Sequence, residues 1–203
     1  MSTALLSTTY FGPVQWYQKL HRYDSVLIEQ HETFRKQTYR NRCVIATTQG
    51  LQALTVPVSK LDFSSHISQM MISDHGNWRR LHWQALQTAY GDSPFFEYYE
   101  DDLRPFFTNN DWLRLIDFNA AICQKMCELL DIAPQIEKTT HFIEPQTSPN
   151  DFRETINPKH PAVDADFIPR PYYQVFASRH GFLPNLSILD LLFNMGPESI
   201  FYL

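Results

Sequence analysis

The first thirty residues restrict the fold more than any other stretch. Ala4-Leu5-Leu6-Ser7-Thr8-Thr9-Tyr10 reads as a short strand, Gly12-Pro13 as a turn, and the run carrying Val14, Tyr17, Lys19, Leu20 and Tyr23 as a helix. Ser25 to Gln30 reads as a second strand. Strand, helix and strand in so short a span is the βαβ pattern, which favours parallel pairing through a right-handed crossover. An α/β layer is therefore expected.

The pattern then changes twice. Cys43-Val44-Ile45-Ala46-Thr47 and the run from Leu51 to Val58 are apolar and β-branched on either side of Thr48-Gln49-Gly50, which predicts a hairpin. Ile67 to Ser73 is expected to add a strand. From Asn77 the spacing of Trp78, Leu81, His82, Leu86 and Tyr90 is helical, and two further helices are expected at 95–107 and 111–131. In the closing helix of Pro184 to Ser199, Asp190 and Asn194 share one face while Leu189, Leu192 and Phe193 pack on another. Met195-Gly196-Pro197 stops it, since proline cannot continue the hydrogen-bond ladder.

With 203 residues and 43% hydrophobic content, one domain over 1–203 is expected: an α/β fold whose mixed sheet has an N-terminal βαβ unit, followed by a helical middle and a C-terminal helix. Residues 134–171 hold seven prolines and lose all regularity. An irregular span of that length is either a lid over a site or a surface wrap.

A net charge of −5 and a pI near 5.9 argue against general affinity for nucleic acid or an anionic membrane. The opening Met1 to Leu6 carries no cation, and nowhere do 18 apolar residues run together, so no membrane span and a cytoplasmic location are expected. Three cysteines read as reduced thiols. Cys123 and Cys127, four apart on a helix, fit core packing better than a metal pair, because no further ligand follows at zinc-site spacing.

His31 to Arg42 concentrates Arg35, Lys36, Arg40 and Arg42 within eight residues of an acidic chain, just after the second strand. Guanidinium forks suit phosphate or carboxylate, and ligands of α/β sheets bind at the carboxyl ends of strands. The bland alternative is a solvated basic loop. Of the eight histidines, His31 and His82 are the candidate general bases, because only histidine exchanges protons near neutral pH unperturbed. A metal site from His31, Glu32, His75 and His82 matches no ligand spacing, and no phosphate loop, dinucleotide motif or nucleophile elbow occurs, so no metal and no cofactor are expected. Phe95-Phe96-Glu97-Tyr98-Tyr99 fits helical packing better than a sugar-stacking platform.

Phe34, Lys36, Tyr39, Asn41 and Arg42 form a Phe-x-Lys-x-x-aromatic-x-Asn-Arg pattern. With Leu54 to Val58, Trp78 with His82, Tyr90 with Pro94-Phe95-Phe96, Asp117-Phe118-Asn119 and the closing helix, it resembles the WbqC-like family. The likeness spans 10–130 and 180–200. Two departures stand out: Leu6-Ser7-Thr8 lies where relatives carry His-Gln-Pro, and Gln30-His31 lies where many carry a carboxylate pair.

The resemblance implies a role in bacterial surface-polysaccharide biosynthesis of the O-antigen type. The expected protein is a transferase-like enzyme acting on an activated sugar or acyl donor, with a phosphate-bearing small molecule as partner. Lys36, Tyr39, Arg40, Asn41 and Arg42 would bind substrate. His31 or His82 would deprotonate the acceptor, and Asp190 with Asn194 would orient it. The alternative is a non-catalytic binding or scaffold protein on the same fold. An enzyme should bring His31 or His82 into one pocket with Arg42, whereas a scaffold need not.

Overall fold

A computed structural model describes residues 2–59, 65–145 and 147–203. The βαβ unit is present: β1 (Thr3–Ser7), α1 (Val14–Arg22) and β2 (Ser25–Glu29), with the strands parallel and Leu5 opposite Leu27. The first strand ends at Ser7, three residues short of the expected Tyr10, because the chain turns there into α1. Phe11 takes a positive φ of 41° within that turn. Gly12 follows where a Cβ would come within 2.5 Å of Thr9 Oγ1, so only glycine fits.

The hairpin is β3 (Arg42–Thr47) with β4 (Gly50–Thr55), antiparallel and turning at Gly50, which has φ 103°. It forms a two-stranded sheet of its own, so parallel and antiparallel pairing are divided between two sheets. Ile67 to Ser73 departs from expectation: Ile67–Gln69 is a 3₁₀ turn, and only single bridges follow, Met71 to Arg114 and Ile72 to Val58. The helical middle comprises α2 (Trp78–Tyr90), α3 (Phe96–Leu103), α4 (Pro105–Thr108) and α5 (Leu115–Leu129). The helix expected at 95–107 is split at Pro105, which has no N–H to continue a ladder and starts the next turn instead.

The segment read as irregular contains a strand. β5 (Ile136–Lys138) pairs in parallel with β2, giving the order β1-β2-β5, and Asp151 adds a parallel bridge to Leu5 on the free side of β1. These pairings were hidden because a three-residue strand carries too little periodicity to read. After α6 (Ala177–His180), the closing helix α7 (Ile188–Met195) passes into a 3₁₀ turn over Gly196–Tyr202. Ser187 caps α7 at Leu189 N and also donates to Phe11 O at 2.8 Å, clamping the turn after β1. The core gathers Leu6, Tyr17 and Leu20 from the βαβ unit with Ile45, Phe118, Leu189 and Phe193, all fully buried. That packing fixes the carboxyl ends of β1 and β2 beside the basic loop.

Candidate active site at the carboxyl ends of the parallel strands

Glu29, the last residue of β2, is completely buried. Its Oε1 accepts from His31 N at 2.8 Å and Thr139 Oγ1 at 2.9 Å. Its Oε2 accepts from Ile143 N at 2.9 Å and Arg153 Nη1 at 3.4 Å. These four donors offset the cost of burying the carboxylate. Three residues on, Glu32 receives Arg40 Nε on one oxygen at 2.8 Å and Arg40 Nη2 on the other at 2.6 Å. Ser7, ending β1, accepts from Arg40 Nη2 at 2.7 Å and donates to Glu32 at 3.2 Å. Arg153 in turn grips Asp151 through Nε at 2.9 Å and Nη2 at 2.6 Å. Its pKa is raised, by the Asp151 hydrogen bonds first and then by the nearby charges of Asp151, Glu29 and Glu32.

This network floors a cleft of about 320 Å³, walled by His31, Glu32, Arg35, His66, Phe142 and Arg153 among others. Two imidazoles face it. His31 Nε2 lies 3.1 Å from Thr139 O, and His66 Nδ1 bonds the backbone carbonyl of His31. A carbonyl only accepts, so each ring carries its proton on the bonded nitrogen when neutral, leaving His31 Nδ1 and His66 Nε2 as bases. The ring centres are 6.4 Å apart. Across the mouth, exposed Arg35 pairs with Glu154. Among the described residues, no three His, Cys, Asp or Glu side chains converge as a metal ligand set, and no helix is long and apolar enough to cross a membrane.

Of the expected site residues, His31 lines the cleft and Arg40 reaches it only through its pairing with Glu32, while Tyr39 and Arg40 line a small cavity beside it. Arg40 is buried in its ion pair rather than open to a ligand, and Asn119 Nδ2 holds its carbonyl at 2.8 Å. Asn41 is buried with its amide on Val56 O at 2.8 Å. Lys36 is exposed, and Arg42 stands half-buried on β3; neither lines the cleft.

The other expected residues sit elsewhere. His82 is buried on α2, 2.9 Å from the Tyr10 hydroxyl, and burial pushes its pKa down to about 4 against a weaker opposing bond to the Thr55 backbone. Asp190 is buried on α7 and meets neither of its expected partners, Arg42 and His82. It accepts instead from Tyr172 at 2.7 Å, Gln174 at 2.8 Å and Tyr90 at 2.9 Å, and burial raises its pKa. Asn194 donates back to Asp190 O within the helix at 2.7 Å. The closing helix is thus held by a polar hub of its own, and the expected convergence with the basic loop is corrected.

Sequence reasoning passed over Glu29, Asp151, Arg153 and His66, and weighed Glu32 only as a metal ligand. An acid ending the apolar run Ser25-Val26-Leu27-Ile28 was the available signal for Glu29. Glu29 and Glu32 flank Gln30-His31 in the sequence, and both are buried. Asp151 and Arg153 left no signal, because long-range contacts bring them in: the bridge to Leu5 and the Arg153–Glu29 pair.

A model of the WbqC-like protein family matches residues 8–162. The chain is also similar to the uncharacterized protein Rv1507c of Mycobacterium tuberculosis, 25% identical over 226 residues that cover 98% of this chain and 96% of that protein. No solved structure matches.

Proposed function

The chain belongs to the WbqC-like protein family, and from that premise we propose that it is a transferase of bacterial surface-polysaccharide biosynthesis, with its active centre in the cleft at the ends of β1 and β2. One observation carries the reading: two imidazoles, each with one ring nitrogen on a backbone carbonyl, line the same cleft. His31 or His66 would take the proton of an acceptor amine or hydroxyl as it attacks an activated donor. Arg35, exposed and paired only at the surface, is the guanidinium best able to leave Glu154 for a donor phosphate.

A binding protein without catalysis is the second reading. It is favoured by the matching of Arg40 and Arg153 to carboxylates, and by Arg42 lying outside the cleft lined by His31. Incubating the protein with amino-sugar and hydroxyl acceptors plus nucleotide-sugar or acyl-thioester donors, and following products by mass spectrometry, separates the two. Transfer that falls roughly 10²–10⁴-fold in His31→Ala or His66→Ala at unchanged melting temperature supports the enzyme. Transfer by neither donor class, or wild-type rates in both variants, supports the binding protein.

A further inference from the structure

A larger cavity lies behind the cleft, lined mainly by aliphatic and small side chains. It measures about 460 Å³ and runs between α5 and the β2–β5 edge, walled by Ile28, Ile116, Ala120, Cys127, Ile132 and Ile136. Polar groups enter at its margins, including Lys138 and Glu128 on the solvent side and Thr8 and Thr9 at the inner end. The inner end matters most. Thr8, Thr9 and Trp16 also line a constriction of about 10 Å³, which is completed by Ser7, Arg40 and Arg153 of the active-centre network. Trp16 itself is fixed there, donating to Ser7 O at 2.9 Å. Asn119, buried at the same end, spends its amide on Arg40 O while its Oδ1 has no protein partner.

The constriction shares Thr8, Thr9 and Trp16 with this chamber and Arg153 with the cleft that carries the histidines, an arrangement that matches a substrate with an aliphatic tail at one end and a reactive group at the other. We propose that this chamber is an acyl-chain subsite and that the donor is an aliphatic acyl thioester. This rests on the transferase reading and chooses between its two donor classes. The chain would lie between α5 and β5 and pass the constriction, with its carbonyl carbon on the cleft side beside His31 and His66. An acceptor amine would attack that carbon, forming the C–N bond as the C–S bond breaks. The imidazole takes the amine proton, and the thiolate leaves and is protonated in turn.

Binding tests the subsite without needing turnover. Coenzyme A thioesters of acetic, butanoic, octanoic and dodecanoic acid are titrated calorimetrically, and labelling of Cys127 by a maleimide is followed with and without each. Affinity should rise about fourfold per added methylene until the chamber is full, from the transfer free energy of a buried methylene. The longer esters should slow labelling at Cys127, which lines the chamber. Ala120→Trp and Ala133→Trp, both at exposed positions that do not disturb the core, should flatten the chain-length dependence while leaving the acetyl ester unaffected. Equal affinity for all four esters in the wild type would overturn the proposal, as would a dependence that survives both tryptophans. A His31→Ala protein that binds the series normally but transfers nothing leaves the subsite standing, so the two readings fail separately.

Discussion

Glu32 and Arg40 meet as a two-pronged ion pair, both oxygens of one carboxylate taken by two nitrogens of one guanidinium at 2.8 and 2.6 Å, with both side chains buried. Geometry this good offsets the desolvation of both charges, but only while both are present. The pair ties the basic loop to the turn after β1 through Ser7. It is the hinge between the part of the site that the sequence announces and the part that it hides.

Arg40→Ala should therefore destabilise the protein by about 3–5 kcal/mol, because a buried carboxylate is left alone. The double substitution Glu32→Met with Arg40→Met should recover most of that loss. Urea denaturation of the three proteins checks this, and equal stability of Arg40→Ala and wild type would mean the pair is open to water.

Glu29→Ala should loosen one segment without melting the domain. Its carboxylate is the shared acceptor for His31 N, Thr139, Ile143 N and Arg153, so its loss frees residues 139–153 from β2. Hydrogen exchange should accelerate at Ile143 and leave the α5 amides protected. Uniform acceleration throughout the chain would show instead that Glu29 supports the whole core.

His82 predicts an acid limb of stability. Its pKa is held near 4 in the folded protein but relaxes to about 6.5 on unfolding, so the unfolded chain binds the proton first. Stability is complete above pH 6.5, is lost as pH falls from there to 4, and declines by about 3 kcal/mol from this group. His82→Asn, which can still accept from Tyr10, should flatten that limb in melts taken between pH 4 and 7.

Asp190→Ala should lower stability by about 3 kcal/mol or more, because Tyr90, Tyr172 and Gln174 lose their common acceptor and each buried donor left alone costs about 1–3 kcal/mol. Chemistry in the cleft should survive in the fraction that remains folded. A variant with full stability and no transfer would restore Asp190 to the catalytic role that its position on α7 first suggested.

By itself the sequence determined what is local. The βαβ start, the Gly50 hairpin, α2 and the closing helix follow from alternation, 3.6-residue spacing and turn residues, signals that need no distant partner. It also put His31 just past a parallel strand, at the edge of the sheet where ligands of such sheets bind, and His31 lines the cleft there. Tertiary structure decided which of the clustered charges face inward. Arg40 turns into the core because Glu32 and Ser7 receive its guanidinium and Asn119 its carbonyl, while Arg35 and Lys36 of the same loop stay exposed. It likewise brought Asp151 and Arg153 to β1 through one bridge at Leu5. The burial of Asp190 against two tyrosines and a glutamine was also set by packing. Such pairings depend on which long-range contacts bury the most surface while satisfying every polar group, a choice made by the whole fold and written in no short window of the chain.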